Sequence, residues 1–148
     1  MTDDAGLPEF LEIINLPLVI HEYSHPFIDN LTEKNKEIFR ESGEKIFSVA
    51  KNGINTEAYS SWDIALDEIL VHASMIMYMK DHNLEQSEIE NWLKAIKDAF
   101  GFFWIKELVG ELESYKKQRD KYPTLESYMP KLAEAYKIWT ENILSVEQ

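Results

Sequence analysis

Residues Trp62 to Asp81 read WDIALDEILVHASMIMYMKD, the most apolar of the helical segments in the chain. Ile64, Leu66, Ile69, Leu70, Val71, Ile76 and three methionines leave little polar circumference, and a helix of that kind belongs inside a protein. Ser60 or Ser61 can cap its start. On either side the sequence carries helical periods and almost no two-residue alternation, which predicts an all-α domain of about six helices packed around this central one.

Upstream, a first helical region is expected from Leu7 to His25, interrupted or restarted at Pro17 and halted by Pro26. Thr32 can cap a second helix to Lys51, with Ile38, Phe39, Ile46, Phe47 and Ala50 on one side and Gly53 as a stop. Downstream, Ser87 and Glu90 have the spacing of a capping box for a fourth helix, and Gly101 marks a break. Phe102 to Arg119 then predicts a fifth, ended by Pro123. Thr124 can cap a short turn before a last helix from Pro130 to Leu144, striped by Leu132, Tyr136, Trp139 and Ile143.

The 148 residues suit one domain, residues 1–148. A formal charge of −12 would repel a phosphate backbone, so nucleic acid is a poor partner and a cationic or neutral one fits better, the expected partner being a peptide or protein substrate. The basic run Tyr115 to Lys121 (YKKQRDK) fits a solvated helix C-terminus. No stretch approaches the roughly 18 uninterrupted apolar residues of a membrane span, and MTDDAG lacks the basic start of a signal peptide, so the chain as it stands is expected to be soluble. With no cysteine, any metal must be held through nitrogen and oxygen.

The chemistry concentrates in Leu16 to Phe27, LPLVIHEYSHPF. On a helix, His21 and His25 share a face about 6 Å apart, close enough for both imidazoles to reach one zinc ion at about 2 Å. Glu22, on the adjoining flank, can take a proton from attacking water and return it to a leaving amine. This is the logic of the HExxH motif. A catalytic zinc needs a third protein ligand. Ile28 and Leu31 stand where the long metzincin pattern has glycine and histidine, so the third must come from elsewhere. The best candidate is Glu68, because its helix face also holds Ile64, Ala65, Val71, His72 and Met75, where an unpaired carboxylate would be costly. Asp63 and Asp67 fall on the side of Ser60, Ser74, Tyr78 and Asp81, a solvent face or helix start. His72, four residues after Glu68, can support a ligand from behind through a hydrogen bond or coordinate the metal itself, and the supporting role is preferred. His82, in KDHNLEQS, is expected at the surface.

HEYSH followed by a glutamate on a separate helix resembles the gluzincin class of zinc metallopeptidases. Within that class, VIHEYSHPF, LDEILVHA, Tyr115, Arg119 and YPTLESYMP together resemble an uncharacterised bacterial family of predicted zinc peptidases, often envelope-associated, over most of the chain. The resemblance implies a zincin-like catalytic helical subdomain. It also implies Zn2+ held by His21, His25 and Glu68, Glu22 as general base, and a full-length protein that is secreted or associated with the cell envelope. The interval from His25 to Glu68 holds an extra helix and is longer than the most familiar members show. A gluzincin also usually carries a sheet before its active-site helix, whose edge pairs with extended substrate. Only about twenty residues precede the motif here, so the chain is expected to be the C-terminal part of a longer protein.

Two functions follow as expectations. One is zinc-dependent hydrolysis of peptide bonds, with Tyr122 or His72 as candidate donors to the oxyanion. The alternative is a non-catalytic acidic helical interaction domain with a structural or vestigial metal site. A ligand position left open beside Glu22 would favour the enzyme, and four protein ligands would favour the alternative.

Overall fold

The computed structural model describes residues 12–146. Six α-helices and one 3-10 turn make up the regular structure of these residues, and the class is all-α. In chain order they are α1 (Glu12–Asn35), the 3-10 turn (Lys36–Phe39), α2 (Arg40–Ala50), α3 (Trp62–Asp81), α4 (Gln86–Asp98), α5 (Ile105–Lys117) and α6 (Leu125–Val146). The expected start of the first helix at Leu7 lies outside the described residues.

Helix α3 is the centre. Ile69, Leu70, Val71, Ala73, Met75, Ile76 and Met79 are fully inaccessible, and α1, α2, α4 and α5 all pack on it. Ser61 stands at its N-cap position, with its hydroxyl turned to the Asp63 carboxylate instead of a backbone N–H. Gly43 in α2 leaves the space that the Trp62 ring fills, since a Cβ there would lie 2.5 Å from Trp62 Cε3. Among the described residues no helix is long and apolar enough to cross a membrane.

Helix α1 departs from expectation at the motif, because Pro26 does not end it. A proline inside a helix removes one hydrogen bond, here the one that would reach the Glu22 carbonyl, at a cost of about 3 kcal/mol. Pro26 and Glu22 are exposed, so water can serve that carbonyl. Beyond the proline, Ile28 and Thr32 are buried and Leu31 partly so. Burying an aliphatic side chain contributes about 1.5–3 kcal/mol, enough for two such residues to offset the break. His21, His25, Asp29 and Thr32 therefore occupy one continuous helix face.

Thr32 consequently caps nothing. Its hydroxyl, inside α1, lies 3.1 Å from the Ile28 carbonyl and also donates to Asp67 of α3. Asn35 ends the helix instead, with Nδ2 donating to the Leu31 carbonyl at 2.9 Å. The single helix expected from Thr32 to Lys51 is thus divided between the end of α1, the 3-10 turn and α2. Thr32 meets Asp67 near the start of α3 while His21 meets His72 further along, so α1 and α3 run antiparallel.

The remaining boundaries follow local chemistry. Glu85 holds the N-cap position of α4 without a side-chain cap, and Ser87 falls inside the first turn, so the expected capping box does not form. Gly101 has φ of 82° and its Cα faces the Gly53–Ile54 peptide, leaving no room for a side chain. Thr124 and Ser127 cap α6 reciprocally: Ser127 N–H donates to Thr124 Oγ1 at 3.1 Å and Thr124 N–H to Ser127 Oγ at 3.2 Å. That pairing starts the last helix at Leu125, five residues before the expected Pro130.

Candidate metal centre

One carboxylate gathers three imidazoles. Glu68 projects from α3 toward α1, with Oε1 3.3 Å from His21 Nε2 and Oε2 3.6 Å from His25 Nε2. His72, one turn further along α3, brings Nε2 to 3.4 Å from the same Oε1. The His21 and His25 ring centroids are 5.1 Å apart in an edge-to-face arrangement, and those of His21 and His72 are 4.5 Å apart. Helical spacing supplies two of these relations, His21 with His25 and Glu68 with His72. Antiparallel packing supplies the others.

The separations carry chemical information. A charge-assisted N–H···O bond is usually about 2.7–2.9 Å, shorter than any of the three. Atoms bound to a common zinc at about 2.0–2.1 Å in tetrahedral geometry stand about 3.3 Å from one another, which is close to what is found. One atom each from His21, Glu68 and His72 lies within 4.8 Å of the other two, a group to which His25 does not belong.

The four groups differ in how well the protein satisfies them. His25 is half-buried, and its Nδ1 lies 3.3 Å from Asp29 Oδ1 on the next turn of α1. Such a carboxylate behind a ligating imidazole fixes its tautomer and orientation. Tyr59, in the connection between α2 and α3, donates its hydroxyl to Glu68 Oε1 at 3.3 Å. Burial and the neighbouring Glu68 charge push the Tyr59 phenol up to about 12, so it stays protonated. His72 is 4% exposed, and both its ring nitrogens are buried without a hydrogen-bond partner, the approach to Glu68 being an ion-pair distance without hydrogen-bond alignment. Phe100 and Phe102 close the site behind it, with centroids 5.2 and 6.0 Å away.

Charge follows from the same geometry. Burial by itself would raise the Glu68 carboxyl, but the facing His21 and His72 imidazoles more than offset this and hold it well below the usual carboxylate range. Burial lowers His72, and the neighbouring Glu68 carboxylate works against that shift. Asp67 is pushed up to about 7, by burial first and then by the Asp29, Asp63 and Glu33 carboxylates around it. The sequence placed Asp67 on a solvent face. In the fold it is half-buried under Thr32, because α1 runs on past Pro26 to cover it.

Of the remaining candidates, Glu22 is exposed on α1, a helical step of about 100° from His21. Asp63 sits at the start of α3, its carboxyl lowered chiefly by the Ser61 hydroxyl. His82 is exposed and stacked on Tyr78 at 3.8 Å, away from Glu68. Tyr122 packs edge-on against Tyr128 at 4.9 Å, in a cluster with the α5 residue Tyr115. It is Tyr59, unmarked in the sequence, that reaches the site. Asp29 did carry a signal, lying four residues after His25, but the expected helix stop at Pro26 concealed it.

The family model described as "Domain of unknown function (DUF4932)" matches residues 11–135. The chain belongs to that family. No curated protein and no solved structure gave a match. The DUF4932 match runs through α1 to α5 and into α6, so all the side chains around Glu68 lie within it.

Proposed function

We propose that this chain is a zinc-dependent hydrolase of peptide bonds, in which His21, His25 and Glu68 hold the metal and Glu22 is the general base. The observation that carries the reading is the convergence of imidazole nitrogens on the two oxygens of Glu68, at 3.3 and 3.6 Å from His21 and His25. The donor set of two imidazoles and a carboxylate suits zinc, and the unpartnered nitrogens of His72 beside it are what a site built around a cation would contain.

Bound there, the cation would polarise a substrate carbonyl and bring the acidity of water near neutrality. The side chains do the rest. His21 and His25, one turn apart on α1, and Glu68 on α3 fix the position of the charge, and the Tyr59 hydroxyl holds Glu68 in place. Glu22, exposed and adjacent, accepts a proton from water as its oxygen bonds to the carbonyl carbon. The carbon–nitrogen bond then breaks and the same proton passes to the departing amine.

A specific observation also supports a second reading, a helical interaction domain with a purely structural metal. His72 could fill a fourth protein position, and four protein ligands are typical of structural zinc. Glu22→Gln separates the two. For the enzyme, hydrolysis of a quenched-fluorescent peptide library should fall about 10²- to 10⁴-fold while zinc content stays at one per chain. Equal zinc loss in the variant would contradict the role of Glu22, and no hydrolysis by zinc-loaded wild type would favour the structural reading.

A further inference from the structure

We infer that His72 is itself a metal ligand, bound through Nε2, so that the buried part of the centre is the trio His21, Glu68 and His72. The inference rests on the metal-centre reading above but does not need the site to be catalytic.

Its first support is the state of the ring. His72 is 4% exposed, and neither nitrogen has a hydrogen-bond partner, in a core where these are the only buried side-chain polar atoms so stranded among the described residues. Buried polar groups are nearly always paired, and an orphan of this kind points to a partner from outside the protein. Phe100 and Phe102 line the site on one side and leave an apolar wall there. The second support is position. His72 Nε2 and His21 Nε2 approach the same oxygen, Glu68 Oε1, at 3.4 and 3.3 Å, the edge lengths of a tetrahedral site. The third is the contrast with His25, which is more exposed, faces the other Glu68 oxygen and already engages Asp29. Glu68 and His72 lie one turn apart on the helix most deeply set in the core, so the spacing of α3 alone sets their separation.

A group that only steadies a ligand from behind would have one nitrogen bonded to that ligand or to a backbone carbonyl. His72 has neither. His25, outside that compact trio, is the one that can yield its place to water or substrate, with Asp29 3.3 Å from its Nδ1.

The test is X-ray absorption on the zinc-loaded full chain, with zinc affinity measured alongside, for wild type, His25→Ala, His72→Phe and His72→Gln. His72→Phe should lower affinity by more than 100-fold, beyond the 10- to 100-fold typical of a supporting residue, and either His72 variant should show one imidazole fewer around zinc. An unchanged imidazole count in both His72 variants would overturn the inference and leave the metal centre standing. Failure of wild type to bind zinc would remove the centre itself. In chelator, His72→Phe should unfold at or above the wild-type midpoint, because it replaces a stranded imidazole with an apolar ring. A lower midpoint for both His72 variants, with the helical signal intact, would mean the protein already satisfies His72 and would count against ligation.

Discussion

Between α5 and α6 the buried polar groups answer one another. The Trp104 indole N–H donates to the Tyr136 hydroxyl at 3.0 Å, and the Tyr128 hydroxyl donates to Glu111 at 2.5 Å. Between α1 and α3 they do not. Three imidazoles surround one carboxylate at distances too long for good hydrogen bonds, and one of them, His72, has no hydrogen-bond partner. Both regions belong to the same core, so the difference does not come from loose packing. It comes from what each set of side chains is arranged around: the α5–α6 pairs are complete within the protein, whereas the α1–α3 set is not, as the proposed metal centre would require.

The contrast can be broken most forcefully at its closed end. Tyr136→Phe removes the acceptor of the Trp104 N–H and leaves that donor buried, which should cost about 1–3 kcal/mol. For a chain of this size that lowers the thermal midpoint by roughly 2–4 °C per kcal/mol, while zinc content should not change. If the loss matches that of His72→Phe in chelator, the two regions are equally self-sufficient and the distinction fails.

A smaller effect sharpens the open end. Folding raises the Asp67 carboxyl from its ordinary value to about 7, so the folded chain holds that proton more tightly than the unfolded one. That contribution to stability is fully present at acid pH and is lost as pH rises through the window up to about 7. Asp67→Asn should therefore be more stable than wild type at pH 8 in chelator, and the advantage should shrink toward pH 4.5. Urea midpoints at the two pH values measure it, and an advantage independent of pH would mean that Asp67 ionises normally.

Much of this was legible from residue order alone. The helix from about Trp62 to Asp81 was legible because its apolar run is long and a serine pair precedes it. The convergence of His21 with His25, and of Glu68 with His72, needed only helical spacing. What could not be seen was where tertiary burial overrules a local rule. Pro26 looked like a stop, and only the burial of Ile28 and Thr32 against α3 shows why the helix continues. With that stop in place Thr32 looked like a cap, Asp67 looked solvated and Asp29 lost its link to His25. Tyr59 lies in a connection whose path depends on contacts such as that between the Gly53–Ile54 peptide and Gly101, more than forty positions away in sequence, and nothing local marks it. His72 was visible as a candidate, but its missing partners are a property of the packed core.

The central claim is that these helices are built around a single cation. Its most direct test is the unfolding midpoint of the purified chain, measured in chelator and again with saturating zinc. With free zinc about a hundredfold above its dissociation constant, one bound ion should stabilise the chain by about 2.7 kcal/mol, or roughly 5–10 °C, and His21→Ala should abolish the shift. A wild-type midpoint that zinc does not move, with no metal retained by the chain, would contradict the account.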